Sequence, residues 1–197
     1  MKRSLLIYCF LLLCSYFFLV TAFASDKSFR EKIESCTSYV LIQGSSNINN
    51  FEFIHDDLRI LNSEKSNNQA SWSQDVMVPV HEFTTTNHRM RKDFLELLKA
   101  SEYPSIQIEI EPKHQIKFLI PNKKTTLKAT VTLAGHTHNY VVPCTVVTCD
   151  STEAMIEGSL QVKLSDFNIE PPKKVLGAIK INDEVFINFA FKREFEN

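Results

Sequence analysis

Alternation of apolar and polar residues with a period of two recurs along most of the chain. In SIQIEIE (Ser105–Glu111), Ile106, Ile108 and Ile110 fall on one side of an extended backbone, and polar residues fall on the other. Strands with one apolar and one polar face, joined by short turns, predict an antiparallel sheet that closes or folds over on itself. The eight further strand candidates are residues 39–44, 50–56, 75–83, 115–120, 127–133, 140–149, 156–164 and 184–192.

One segment, residues 87–104, departs from this period. Its apolar residues Met90, Phe94, Leu97 and Leu98 are spaced as on one face of a helix. The preceding Asn can cap the helix, and the Pro at the end of the segment forbids its continuation. We therefore expect one amphipathic helix that packs on an open end or side of the sheet. A lipocalin-like barrel and a sandwich with a helix across it both satisfy this pattern.

The N-terminus has the organisation of a secretory signal peptide. Two basic residues precede an uncharged apolar run over residues 5–20, and the small-x-small sequence AFA ends at Ala24. We predict a signal peptide at 1–24 and a single domain at 25–197, exported to the periplasm or the exterior. An uncleaved N-terminal anchor is the alternative, because the run is long for a signal peptide and short for a membrane span.

Charge and cysteine content bear on two further properties, nucleic-acid binding and disulfide formation. Without residues 1–24 the chain has 20 basic and 23 acidic side chains, which gives no electrostatic reason to expect nucleic acid. Three cysteines remain, and an exported chain meets oxidising conditions, so one disulfide is expected. Cys144 and Cys149 lie at odd spacing in one predicted strand and face opposite sides. This favours Cys36 paired with one of the two, with the third thiol left free.

The stretch GHTHNY raises the question of a metal site. His136 and His138 are two residues apart, so in a strand both imidazoles would share a face. A catalytic zinc needs a third ligand, and the sequence has no HExxH helix to supply one. We interpret the stretch as a hairpin tip in which Gly135 makes the turn and the histidines lie on the surface near one rim. We predict no metal and no catalytic residue, since GxSxG and P-loop motifs are also absent.

Four blocks in register resemble the YceI-like domain family. They are RMRKDFLELLKASEYPSIQIEI, LKATVTLAGHTHNYVVP, GSLQVKLSDFNIEPPKKVLGAIKINDEVFINF and IQGSSNINNF. The resemblance covers about residues 38–192. One departure is that the family's hairpin usually has glycine before its Leu-Thr pair, where this chain has Ala129 or Thr130. The backbone there is expected to be straighter than is usual in the family.

The resemblance implies a mainly β fold: an eight-stranded antiparallel lipocalin-like barrel with one amphipathic α-helix packed against it. It also implies a non-catalytic binding protein whose apolar interior holds a polyisoprenoid, such as an isoprenoid quinone or a prenyl phosphate, with no other cofactor. Such a ligand would be bound mainly by removal of apolar area from water. We expect the lipid-contacting side chains to be Phe53, Val78, Ile108, Phe118, Leu133, Val142, Ile156, Leu160 and Phe189.

Three points stay open at the level of sequence. The same phenylalanine-rich strands would suit a structural or stress-response accessory barrel with a filled core and no ligand. Arg89 and Arg91 could meet a phosphate head group, or could simply form a solvated helix face. The oligomeric state is undetermined, with a homodimer among the options.

Overall fold

A computed structural model of the chain describes residues 36–56, 74–111, 122–149 and 153–194. The compact unit that carries the fold begins at Thr37. The predicted signal peptide and the strand predicted over 115–120, which contains Phe118, lie outside the described residues.

Ten strands and one α-helix follow one another along the described chain. The helix α1 is His88–Leu97. The strands are β1 Tyr39–Ser45, β2 Asn50–Asp56, β3 Gln74–Pro79, β4 Ser105–Glu111, β5 Lys124–Leu133, β6 His136–Thr148, β7 Glu153–Lys163, β8 Lys173–Lys174, β9 Ile179–Lys180 and β10 Glu184–Glu194.

Eight of these strands form one curled antiparallel sheet, in the order β2-β1-β10-β7-β6-β5-β4-β3. The short strands β8 and β9 form a separate hairpin between β7 and β10. The two edge strands are β2 and β3, and an isolated bridge from Ile54 to Thr84 joins β2 to the segment that follows β3. The predicted eight-stranded antiparallel lipocalin-like fold with one helix is confirmed.

The strand register places apolar side chains together on the inner face of the sheet. Val40 of β1 lies opposite Phe189 of β10, and Ile42 lies opposite Phe53 of β2. Side chains of directly opposed residues share a face, so these pairs stabilise the sheet from within. Gly158 makes room for one of the rings: a Cβ at Gly158 would lie 2.5 Å from the ring of Phe189. A close approach of this kind is a recognised role of glycine inside a strand.

The third strand is shorter than its alternation predicts. The pattern continues to Phe83, but β3 ends at Pro79 and Val80–Glu82 form a 3-10 turn. The next register partners are Val80 and Pro104, and Pro104 has no N–H to donate to Val80, so the ladder stops there. Only the opposite hydrogen bond of this pair forms, from the N–H of Val80 to the carbonyl of Pro104, 2.9 Å away.

The helix begins as predicted and ends earlier. The Asn87 side chain accepts hydrogen bonds from the N–H groups of Arg89 and Met90, as a cap residue does. At the other end, Lys99 adopts the left-handed conformation with φ 50°. Its N–H donates to Glu96 and the N–H of Ala100 donates to Leu95, which is the pattern of a Schellman motif. The helix therefore ends at Leu97, seven residues before Pro104, which the sequence suggested as its limit.

Lys99→Gly is expected to stabilise the protein. Glycine adopts the left-handed conformation without the steric cost that Lys99 incurs there. We expect a gain of about 0.5–1 kcal/mol in the free energy of unfolding, measured by urea denaturation. Lys92→Gly, in the interior of the same helix, is the matched control and should destabilise by about 1 kcal/mol.

The cysteines divide into two chemical states. Cys36 and Cys149 are disulfide-bonded, while Cys144 is a buried free thiol. The expectation that Cys36 takes part in a disulfide and that one thiol stays free agrees with this. Burial raises the pKa of Cys144 to about 11, so at neutral pH it is a small apolar core residue rather than a nucleophile.

Candidate functional site

The inner face of the sheet and the helix α1 enclose an apolar cavity of about 740 Å³. This volume lies within the range of pockets that bury a small organic ligand. The strands supply most of its wall. Helix α1 lies over one end with Met90, Phe94 and Leu97 on the cavity side.

Eight of the nine predicted ligand-contacting residues line this cavity, and the ninth, Phe118, lies outside the described residues. Each of the eight lies at an inward-facing position of its strand, and Ile156 and Leu160 share β7. Their contact with a ligand remains a prediction. The lining residues among them are Phe53, Val78, Ile108, Leu133, Val142, Ile156, Leu160 and Phe189.

Two lining elements were missed by sequence reasoning. One is the loop between β1 and β2, which contributes Ile48. The other is the β8–β9 hairpin with the residues beside it, which contributes Val175, Ile179 and Ile181. Strands of two residues are too short for a period to be read. The available signal was the local sequence KKVLGAIK (residues 173–180), in which apolar pairs flank Gly177 and lysines lie outside them.

Polar groups are confined to the ends of the cavity. Among the described lining residues, all side chains between the two rims are apolar, and Lys192 lies at one end. The opposite rim is formed by the β1–β2 loop, α1 and the hairpin, and we call it the loop rim. Its polar lining residues are Ser46, Asn49, Asn87, Arg89, Asp93 and Lys174.

The two arginines of α1 differ in role. Arg89 lines the cavity at the loop rim and is exposed. Arg91 donates hydrogen bonds to the carbonyls of Phe83 and His81, so it joins the helix to the 3-10 turn. Only Arg89 is therefore placed where a ligand's polar end could meet it.

Aromatic rings anchor the helix to the wall of the cavity. The rings of Phe53 and Phe94 are stacked with centroids 4.2 Å apart, and the ring of Phe83 meets Phe94 edge-on at 5.5 Å. Buried His55 packs edge-on against Phe83. Its Nε2 lies 3.0 Å from Oε2 of Glu82, within ion-pair distance but without the alignment of a hydrogen bond. This cluster joins β2, the 3-10 turn and α1.

The histidines of GHTHNY are strand residues. The turn consists of Ala134 and Gly135, both with positive φ, and β6 begins at His136. The predicted hairpin is present with Gly135 in its turn, and both histidines follow the turn because two positive-φ residues suffice for a tight hairpin. His138 is exposed, and its ring lies 4.8 Å from that of Tyr140. Within the described ranges, no three His, Cys, Asp or Glu side chains are grouped so that they could hold a metal ion.

Two conspicuous carboxylates have structural partners. Asp166 accepts a hydrogen bond from the hydroxyl of Tyr140, 2.9 Å away. Asp183 accepts from both the hydroxyl and the N–H of Ser165, at 2.6 and 2.8 Å. The hydrogen bond from the Ser165 hydroxyl lowers the pKa of Asp183. These carboxylates join the segment after β7 to β6 and β10.

Asp183 is expected to make stability depend on pH. Its pKa is lower in the folded chain than in the unfolded one, so its contribution is complete above the unfolded value of about 3.9 and is lost as the pH falls through the folded value. As the pH is lowered below about 4, the wild-type melting temperature should fall more steeply than that of Asp183→Asn. Parallel curves for the two proteins would contradict this assignment.

The family model of the YceI-like domain matches residues 38–193. The chain belongs to the YceI-like domain family. Among curated proteins no match to it is found. Within the described residues, no helix combines the length and the hydropathy needed to cross a membrane.

Solved structures share this YceI-like fold at low sequence identity. A polyisoprenoid binding domain from Saccharophagus degradans, implicated in plant cell wall breakdown, has a TM-score of 0.63 at 14% identity, covering 80% of this chain and 93% of that one. BcnA of Burkholderia cenocepacia has a TM-score of 0.60 at 20% identity, covering 79% and 96%. A mutant Campylobacter jejuni YceI protein has a TM-score of 0.56 at 17% identity, covering 77% and 88%.

Proposed function

We propose that this YceI-like protein is an exported carrier that holds one long-chain isoprenoid lipid, such as a prenyl quinone or a prenyl phosphate, in its cavity. The observation that carries the proposal is the distribution of polar groups. A deep cavity whose described wall is apolar between polar rims suits a long hydrocarbon chain with one polar end. Affinity would come from apolar area removed from water, at roughly 25 cal/mol per Å².

Arg89 is the residue we assign to the polar end of the ligand. It lines the cavity at the loop rim, as Asn87 and Asn49 do. A guanidinium and two amides can bind a phosphate or a quinone carbonyl through hydrogen bonds. The relative from Saccharophagus degradans is described as a polyisoprenoid binding domain, which supports the same ligand class here.

The test is to extract the protein, purified from an exporting host, into organic solvent and to identify the extracted lipids by mass spectrometry. We expect an isoprenoid lipid near one per chain. Protein stripped of lipid should take up a prenyl quinone supplied in detergent. Neither a bound lipid nor uptake would contradict the proposal and favour a barrel with a structural or accessory role.

Arg89→Gln tests the head-group assignment. This variant should bind a prenyl phosphate about tenfold more weakly than wild type. Its affinity for a prenyl quinone should fall much less, since only the phosphate loses an ionic partner. Lys92→Gln, exposed on the same helix and outside the cavity lining, is the matched control.

A further inference from the structure

The β8–β9 hairpin has an apolar tip in solvent. Val175 is 68% exposed, and Leu176 is fully exposed. Both have positive φ, 52° and 53°, in a turn of the kind that usually carries Asn, Asp or Gly. A β-branched residue rarely adopts this conformation. Neither burial nor turn preference therefore explains two aliphatic side chains at this position.

The tip is fixed to the rest of the loop rim. The Asn47 side chain donates to the carbonyl of Ala178 at 2.9 Å and accepts from the N–H of Lys180 at 2.8 Å. The ammonium of Lys174 lies 3.0 Å from a carboxylate oxygen of Asp93 in α1. Loop, hairpin and helix thus form one connected surface, on which Ile48 adds a third exposed aliphatic side chain.

The same surface borders the cavity. Ile48, Lys174 and Val175 all belong to the cavity lining. A lipid that enters or leaves at the loop rim passes directly beside the apolar tip.

Basic side chains flank the tip on both strands of the hairpin. Lys173 and Lys180 are directly opposed in the register, and Lys174 is next to the turn. The nearby carboxylates are Glu170, 3.6 Å from Lys173, and Asp93. The hairpin thus has aliphatic side chains at its tip and lysines on the strands behind the tip. An anionic lipid surface is complementary to this order, because its charged head groups lie above the acyl boundary.

We propose that the loop rim docks on an anionic lipid surface, with Leu176, Val175 and Ile48 inserted among the head groups and Lys173 and Lys180 above them. Docking places the loop-rim end of the cavity against the bilayer, so the isoprenoid chain moves between membrane and protein without crossing water. This proposal rests on the proposed carrier function and names the surface from which the carrier loads.

The test measures binding to vesicles by flotation, using phosphatidylcholine vesicles with and without phosphatidylglycerol. The wild-type protein should float with the phosphatidylglycerol vesicles, and added salt should weaken this binding. Leu176→Asn should bind about tenfold more weakly, because the side chain that inserts deepest is lost. Asn tolerates positive φ, so the hairpin and the melting temperature should be preserved. Val141→Asn, at an exposed valine on the outer face of β6, is the matched control and should bind like wild type.

The lysines are tested separately. Lys173→Gln with Lys180→Gln should lower binding to phosphatidylglycerol vesicles by about fivefold per lysine. Wild-type protein that fails to float, or a Leu176→Asn variant that floats as well as wild type, would overturn the docking proposal. So would binding that ignores both phosphatidylglycerol and salt.

A parallel measurement separates this proposal from the carrier function. Leu176, Lys173 and Lys180 lie outside the cavity lining, so their variants should bind a prenyl quinone in detergent as wild type does. If the variants take up less prenyl quinone from vesicles but bind it in detergent as wild type does, the result supports docking. Vesicle binding by a wild-type protein that takes up no quinone would contradict the carrier function and leave the docking surface standing.

Discussion

Ala129→Phe is expected to reduce prenyl quinone binding by tenfold or more while leaving the fold intact. Ala129 lies in the middle of β5, faces the cavity and has Ile110 and Tyr140 as its register partners. A phenyl ring there would extend into the space that the ligand needs. Because this space is open in the protein, the added ring should change the free energy of unfolding by less than about 1 kcal/mol.

The stability of this variant distinguishes a carrier from a filled barrel. In a close-packed core, an added ring forces neighbouring side chains off their rotamers, at a cost of about 1–3 kcal/mol. Val141→Phe adds the same ring to the outer face of β6 and should alter neither binding nor stability appreciably. Quinone titration in detergent and urea denaturation of the three proteins provide the two measurements. Unchanged quinone affinity in Ala129→Phe would mean that the ligand does not occupy the middle of the cavity.

The sheet was predictable because its signal is repeated and periodic. SIQIEIE coincides with β4 from end to end, and NFEFIHD coincides with β2. A one-residue shift in register would turn every apolar side chain of a strand to solvent, so alternation specifies which residues face inward. Alternation cannot say whether inward residues touch one another or surround a space. That depends on the curvature of the sheet and on the volume that the strands enclose together.

The boundaries were less predictable because local chemistry sets them. The alternation of β3 runs on past Pro79, but the ladder ends at the next pair because Pro104, opposite Val80, has no N–H to donate. Lys99 ends α1 although lysine has no strong preference for the left-handed conformation. In both places a single backbone group outweighs the pattern around it.

The loop rim was the part that sequence reasoning missed most completely. Its hairpin has strands of two residues, and its turn contains Val175 and Leu176 rather than turn-forming residues. The turn preferences of these residues therefore do not predict a hairpin at this position. The conflict between local preference and observed conformation is typical of functional sites. Prediction of ligand class came instead from the four family blocks, and it remains to be tested by lipid extraction.

Phe94→Ala is expected to be the most destabilising single change in the helix. Phe94 is the buried residue of α1, and its ring contacts both Phe53 and Phe83. Truncation removes the stacked ring and leaves a void beside the cavity, at a cost of about 3–5 kcal/mol. For a chain of this size the melting temperature should fall by about 10 °C.

Two controls identify the source of this loss. Phe186→Ala removes the same ring from a position that is 48% exposed on β10, and it should cost about 1 kcal/mol or less. Lys92→Ala leaves the packing of α1 untouched and changes only its exposed side, so it should be close to neutral. A Phe94→Ala variant as stable as Phe186→Ala would show that α1 is not held by the Phe53–Phe94–Phe83 cluster. A large loss confined to Phe94→Ala would instead show that the helix and the cavity wall unfold as one unit, because the rings that anchor the helix belong to the wall itself.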